Sequence, residues 1–181
     1  MKKIFKVNPL TNKKDRSYQF DKKKVDVKYA YLEDEFPYKR YIISSKGEIF
    51  RKEGESSVIK IPIYQKKCGY YYIQICKDNR SKKMFYVGRL VAKYFVKKTK
   101  KDVEMERDIV HFIDWNRERV IPENLIWVNL DELNALISFK KAKDNKITID
   151  DDLKYKYLNR FYKDNRYSNR EIKRIFGNYA L

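Results

Sequence analysis

The sequence predicts an α+β fold in which small antiparallel β-hairpins precede a ββα finger and a C-terminal pair of helices. Three observations support this. Runs of β-branched and aromatic residues alternate with Gly- and Lys-containing turns between residues 38 and 87. Two short apolar runs, 109–113 and 125–128, flank a polar segment with a proline and are followed by a helical pattern over 131–141. Apolar residues then recur at helical spacing between 153 and 176.

A chain of 181 residues can hold one domain with appendages. Residues 1–28 contain ten Lys or Arg and three Asp with little apolar periodicity, which predicts a basic N-terminal arm that is disordered alone and folds on a partner. We assign residues 29–141 to a β module plus the finger, and residues 142–181 to a C-terminal helical segment.

The β module begins with a strand, turn and strand over 38–50, where Gly47 supplies the positive φ of the turn. Three further strands are predicted over 59–64, 70–76 and 83–87, joined by hairpin turns at 66–69 and 77–81.

The hairpin around residues 70–87 has two interpretations. A two-stranded ribbon with Lys-rich tips and a Tyr-rich face fits the DNA major groove. Alternatively, it is a sheet in which Tyr70, Tyr72 and Gln74 face solvent while Tyr71, Ile73 and Ile75 face the core.

Residues 86–96 change from a strand to a helix with Leu90, Val91 and Tyr94 on its apolar side. Arg89 and Lys93 lie four residues apart on another face, which suits contact with phosphate or simply a solvated surface. Residues 97–108 then predict a charged connector into the finger.

The last segment predicts two helices around a tight polar turn. Ser168 and Glu171 have the spacing of a capping box, and Gly177 ends the second helix. The pair resembles the first part of a helix-turn-helix that is truncated before its recognition helix, which favours docking on the core or a partner over DNA reading.

The net charge of +18 favours polyanionic partners, and nucleic acid is the first candidate. The alternative is a Lys-rich surface that reflects an AT-rich genome. Sixteen Tyr and ten Phe favour the first reading, because aromatic rings among basic residues can stack on bases.

The two cysteines are too few and too isolated from histidine for a zinc site, so Cys68 and Cys76 are expected to be reduced on a strand pair. No apolar stretch is long enough to cross a bilayer and no signal-peptide core follows the first lysines. We therefore expect no membrane partner and an intracellular location, cytoplasmic or organellar.

The finger carries a family resemblance. Residues 109–116 (IVHFIDWN) and 124–128 (NLIWV), with the β module at 38–50 and the segment VGRLVA at 87–92, resemble the HNH homing endonucleases of mobile introns and phages over about residues 38–134. This resemblance implies a ββα-metal scaffold and descent from a DNA-cutting enzyme.

The same resemblance implies a degenerate active site. His111 stands where the family has a metal-binding Asp, Phe112 where it has the general-base His, and Leu133 where it has the metal-binding Asn, with Asn134 one residue late. A phenyl ring cannot accept a proton from water and a leucine cannot ligate a hard divalent cation.

Residual catalysis would have to rest on His111, the only histidine, acting as base with Asp114, Asn116 and Asn134. In a regular strand, however, His111 shares a face with Ile113 rather than with Asp114 or Asn116. We therefore favour no catalytic residue, no metal site and no cofactor, with Mg²⁺ required only if the protein is a nuclease after all.

The function predicted from the sequence is a catalytically inactive, HNH-derived protein that binds nucleic acid through its phosphates. One alternative is an RNA-binding structural component of a large ribonucleoprotein such as an organellar ribosome. Another is an active metal-dependent HNH DNA endonuclease. The basic residues predicted to contact nucleic acid are Lys66, Lys67, Arg80, Lys82, Lys83, Arg89, Lys93, Arg117 and Arg119.

Overall fold

The structure is a computed structural model that describes residues 4–5, 27–32, 41–53, 57–76, 82–145, 158–159, 161, 163–164 and 166–177. In chain order its elements are β1 (Ile4–Phe5), β2 (Tyr29–Tyr31), β3 (Tyr41–Ser44), β4 (Ile49–Glu53), β5 (Ser57–Lys60), β6 (Tyr64–Gln65), β7 (Tyr71–Cys76), β8 (Lys82–Tyr86), α1 (Val87–Phe95), α2 (Lys100–Glu104), β9 (Ile109–Phe112), a short 3-10 helix (Pro122–Asn124), β10 (Leu125–Val128), α3 (Leu130–Asp144) and α4 (Asn169–Phe176). The predicted α+β class is confirmed.

The first sheet has five strands in the order β1 to β5, each antiparallel to its neighbour. The predicted turn between β3 and β4 is confirmed, with Gly47 at a φ of 81°. A Cβ at Gly47 would lie 3.1 Å from a methyl of Val87 and 3.3 Å from a methyl of Val120. Both the backbone conformation and the close packing therefore require glycine at this turn.

The second sheet has three antiparallel strands in the order β6, β7, β8 and packs against α1. Ile73, Ile75 and Phe85 are buried on one face, and α1 buries Leu90, Val91 and Tyr94 as predicted. Of the residues of β7 predicted to face the core, Ile73 and Ile75 are therefore buried as predicted, while Tyr71 is only partly buried.

The single strand predicted over 59–64 was wrong, because it is divided between β5 in the first sheet and β6 in the second. Pro62 lies in the gap, and a proline has no N–H to donate to a sheet. The turn at 66–69 is confirmed with Gly69 at a φ of 88°, and free Cys68 lies in this turn rather than on a strand. The turn predicted at 77–81 lies outside the described residues.

The finger has the predicted order: β9 pairs with β10, and α3 follows directly. Helix α3 begins at a capping box, in which the Asn129 side chain accepts from the Glu132 N–H and the Glu132 carboxylate accepts from the Asn129 N–H. The helix contains the whole of the predicted 131–141 segment.

The connector predicted over 97–108 was wrong in part, because it contains helix α2. Thr99 and Asp102 form a reciprocal capping box that satisfies its first N–H groups. The box uses Asp in place of the commoner Glu or Gln, so the charged composition of this segment masked it.

The capping box predicted between Ser168 and Glu171 is confirmed at the start of α4, which ends at Phe176 before Gly177. Of the preceding predicted helix, the structure describes four helical residues, among which Leu158 and Phe161 are buried. The rings of Phe161 and Phe176 pack with centroids 4.8 Å apart.

Two compact units can be distinguished, one containing residues 1–97 and 112–126 and the other residues 98–111 and 127–181. Their boundary passes through β9 and β10.

Of the predicted N-terminal arm the structure describes Ile4, Phe5 and residues 27–28, and Ile4–Phe5 pairs with β2. The arm and the domain limits at 28 and 141 stay predictions. Among the described helices, none is long and apolar enough to cross a membrane.

Candidate nucleic-acid interface

The outer face of the second sheet carries a row of three tyrosines, one from each strand. The strand register places Tyr64 opposite Tyr72, and Tyr72 opposite Tyr86. Residues directly opposite each other share a face of the sheet. Because Ile73 and Phe85 point into the core, the three tyrosines point outward, and 48% of Tyr64 and 37% of Tyr86 are exposed. We call Tyr64, Tyr72 and Tyr86 the tyrosine row.

Lys66 brings a cation to this row. Its Nζ donates a 2.8 Å hydrogen bond to the Tyr86 hydroxyl. The same atom lies 4.9 Å from the centre of the Tyr86 ring and 5.9 Å from that of Tyr72, within the range of a cation–π interaction. The hydrogen bond to Tyr86 raises the pKa of Lys66, so this ammonium stays charged at neutral pH.

Arg117 places a second cation beside the same sheet. Its Nη1 donates a 2.6 Å hydrogen bond to the carbonyl of Cys68, and its guanidinium lies 4.4 Å from the centre of the Tyr70 ring. Tyr70 meets Tyr86 edge-on at 5.7 Å. The turn after β6 and the loop after β9 therefore place cations and aromatic rings together on one surface.

The position implied for the general-base His holds a packed hydrocarbon. The Phe112 ring is 5% exposed and meets Tyr70 edge-on at 6.0 Å. Its Cζ lies 2.8 Å from where a Cβ would stand on Gly88. Gly88 and Phe112 thus fit each other, and the ring fills space that a side chain at residue 88 would need.

The loop after β9 is held by hydrogen bonds of the Asn124 side chain. The buried Asn124 amide accepts a 3.0 Å hydrogen bond from the N–H of Asp114 and donates to the carbonyls of Arg119 (2.9 Å) and Asn116 (3.4 Å). Asp114 caps the N–H of Asn116 at 2.8 Å and pairs with Arg119 at 3.1 Å. Although desolvation raises the pKa of Asp114, these hydrogen bonds lower it overall.

His111, Leu133 and Asn134, the remaining residues at or near the implied catalytic positions, lie on β9 and α3. His111 is buried within the second unit. On α3, Leu133 is half-buried and Asn134 is exposed, and the Asn134 carbonyl accepts a hydrogen bond from Ser138. In the part of the chain that the structure describes, no three His, Cys, Asp or Glu side chains cluster as metal ligands. Of the two positions at which the resemblance implies metal ligands, Leu133 offers no ligand atom and His111 replaces the oxygen ligand that a hard divalent cation prefers.

The predicted phosphate contacts fall on the first unit. Lys66, Lys67 and Arg117 lie beside the tyrosine row, Lys82 and Lys83 on β8, Arg89 and Lys93 on α1, and Arg119 on the loop after β9, while Arg80 lies outside the described residues. Lys67, Lys82, Lys83, Arg89 and Arg119 are exposed. That each of them contacts nucleic acid stays a prediction.

The sequence did not identify the tyrosine row as a site. The period of two in β7 placed Tyr72 on the outer face, but Tyr64 and Tyr86 join it only through pairing with strands on either side. The sequence showed only that Tyr70, Tyr72 and Gln74 alternate with apolar residues. Such alternation identifies the outward side chains of one strand, but it does not show which strands lie beside it or in which register.

No protein-family model and no curated protein matches this chain. A solved structure that is similar to it concerns DNA binding and cleavage by the HNH homing endonuclease I-HmuI, with 23% sequence identity and a TM-score of 0.42. The match covers 60% of this chain and 54% of the I-HmuI chain, so it spans about half of that structure's length.

Proposed function

We propose that this protein binds nucleic acid through basic and aromatic side chains of its first unit and does not cleave it. The observation that supports binding is the convergence of Lys66, Arg117 and the tyrosine row on one exposed surface of a chain with a net charge of +18. Cations supply the salt-dependent attraction to phosphates, and exposed rings supply contacts with bases.

The absence of cleavage is inferred from the residues at the implied catalytic positions. A nuclease of this type needs a general base to activate water and oxygen ligands to hold a divalent cation. Phe112 is packed on Gly88, Leu133 offers no ligand atom, and Asn124 already holds the loop.

The experiment uses the purified full chain in two assays. Fluorescence anisotropy with duplex DNA, duplex RNA and single strands across a salt series should show binding that weakens steeply as salt rises. Supercoiled plasmid incubated with the protein and Mg²⁺ or Mn²⁺ should stay supercoiled.

Each half of the proposal can fail separately. Metal-dependent nicking that follows the protein through purification would overturn the inactive assignment and favour the nuclease alternative. A chain that binds none of the nucleic acids at low salt would overturn the binding assignment. The major groove of A-form RNA is inaccessible to side chains, so a preference for duplex RNA over duplex DNA could not come from reading a major groove. Such a preference would favour the ribonucleoprotein alternative.

A further inference from the structure

We propose that the tyrosine row is a stacking platform for the bases of an unpaired polynucleotide strand. This inference rests on the proposed function and makes it more specific, since it names the form of nucleic acid and the residues that contact bases. The phosphate contacts of the same strand would come from the cations beside the row.

The geometry of the row suits consecutive bases. Neighbouring strands of a sheet lie about 4.8 Å apart, so the register places the three tyrosines side by side across the sheet. The Tyr64 and Tyr72 ring centroids are 5.6 Å apart with planes inclined by 32°. Sheets that present two or three aromatic rings in this way stack a similar number of unpaired bases.

The row is held in place from the opposite side of the sheet. Ile73 is fully buried and pairs with Phe85, which is also buried. A slip of one residue would turn both side chains into solvent, so burial of the core face fixes which residues face outward. The exposed tyrosines therefore have no core role that explains their position, and Tyr64 has almost half of its surface open.

The charge around the row indicates a polyanion rather than an apolar partner. Lys66 contacts two of the rings, and exposed Lys82 lies on the same face, four residues from Tyr86 along β8 and so about 13 Å away. Gln74, which pairs with Met84, is exposed on the same face between the tyrosine row and Lys82. A protein partner would require apolar area that this face offers only at Met84 and in the rings.

An unpaired strand fits better than a duplex because the base faces of a duplex are already stacked on each other. Tyrosine rings on a sheet cannot reach the base faces inside a duplex, whereas a single strand can splay its bases and stack them on the rings. Stacking uses the π-face that every base has, so we expect weak sequence preference. The face offers few groups that could tell ribose from deoxyribose, so oligothymidylate and oligouridylate should bind alike.

The test compares a labelled oligothymidylate with an abasic oligomer of the same length, which keeps the phosphates and lacks the bases. At moderate salt, the full-length protein should bind oligothymidylate at least about tenfold more tightly than the abasic oligomer, since each stacked base contributes roughly that factor. The double variant Tyr64→Leu/Tyr72→Leu, which leaves only Tyr86 of the row, should lose most of this difference while binding the abasic oligomer as before.

The matched control is Tyr64→Phe/Tyr72→Phe, which keeps both rings and removes only the hydroxyls, and it should keep the tenfold difference. Equal binding of the two oligomers by the wild type, or a Leu variant that keeps the difference, would overturn the stacking proposal and leave phosphate binding intact. Tighter binding of a duplex than of either single strand would also overturn it. Failure to bind any oligomer, single-stranded or duplex, even at low salt would instead overturn the proposed function.

Discussion

At the level of single residues, Gly88 and Phe112 are sterically matched. A Cβ on Gly88 would overlap the Phe112 ring at 2.8 Å, and the ring cannot easily move because it is buried and meets Tyr70. Phe112 and Gly88 therefore make a packed contact in which the absence of a side chain on one residue provides the space for the ring of the other.

Replacing Gly88 by Ala tests this contact. In a helix this change usually stabilises a protein by up to about 1 kcal/mol. Here the added methyl overlaps the ring, so we expect destabilisation of about 1–3 kcal/mol in urea unfolding. The double variant Gly88→Ala/Phe112→Leu should be more stable than the sum of the two single changes predicts. Arg89→Ala, in the same helix turn but exposed, is the control and should change little. Stabilisation by Gly88→Ala would show that the Phe112 ring can move away from the added methyl group.

The sequence could identify Phe112 as a residue unable to act as a base, because that follows from its chemistry alone. It could not identify the partner of Phe112. Gly88 is 24 positions earlier in the chain, and its role depends on α1 passing close to the end of β9. Asn124 is similar: its place in a motif was visible, but its three hydrogen bonds to the loop required the folded backbone.

At the level of elements, a buried arginine joins three helices of the second unit. Arg107 is completely buried and its guanidinium donates to Asp102 of α2 at 2.7 Å and to Glu132 of α3 at 2.7 Å, and its Nη1 lies 3.4 Å from Glu171 of α4. Each of these carboxylates also belongs to the capping box of its own helix. One guanidinium thus links three helix N-termini.

This cluster determines how acid affects the second unit. Although burial raises the pKa of Asp102, hydrogen bonds from Arg174, Thr99 and Arg107 lower it well below its usual range. The pKa of Glu171 falls to about 2, since hydrogen bonds from Lys101 and Ser168 outweigh its desolvation. A carboxylate with a lowered pKa in the folded state stabilises the fold above its unfolded pKa, near 4, and that stability is lost as the pH falls toward the folded value.

Arg107→Met should therefore be strongly destabilising in a pH-dependent way. At neutral pH the buried carboxylate of Glu132 loses its counter-charge and Asp102 keeps only Arg174, so we expect a loss of about 3–5 kcal/mol. Below about pH 4 the difference from the wild type should shrink, because protonation of carboxylates in the unfolded chain removes part of the wild type's ionic stabilisation while the variant's less well paired carboxylates become neutral. Urea unfolding at both pH values measures this. The control Arg166→Met removes an arginine from an exposed pair with Asp164 and should change stability little at either pH. A loss that is the same at both pH values would contradict the ionic explanation.

The elements that the sequence predicted well have local signals. The turn glycine at 47, the capping box at Ser168 and the finger followed by α3 depend on residues within a few positions of each other. The elements that it predicted wrongly depend on distant contacts. Pro62 separates β5 from β6, but only pairing with different neighbours shows that they belong to different sheets. Helix α2 looked like a charged loop because the arginine that needs its Asp102 is buried only in the folded unit.

For the whole molecule, acidic residues and basic residues are used differently. Asp102, Glu132 and Glu171 are drawn into the cluster around Arg107. Many lysines and arginines of both units, by contrast, lie at the surface, which leaves much of the +18 net charge open to solvent. The buried cluster thus uses Arg107, while exposed basic residues give the described surface its positive charge.

If α1 contacts phosphates, the double variant Arg89→Ala/Lys93→Ala should weaken binding to all nucleic acid sequences and reduce the salt dependence. Each lost phosphate contact removes about 0.7–0.9 from the slope of log K against log salt, so the slope should fall by about 1.4–1.8. Anisotropy titrations across a salt series measure it. Lys141→Ala/Lys143→Ala, which removes the same charge from exposed positions of α3 in the second unit, is the matched control and should leave the slope nearly unchanged. An equal fall in both variants would indicate a general charge effect, and no fall in either would place the phosphates away from α1.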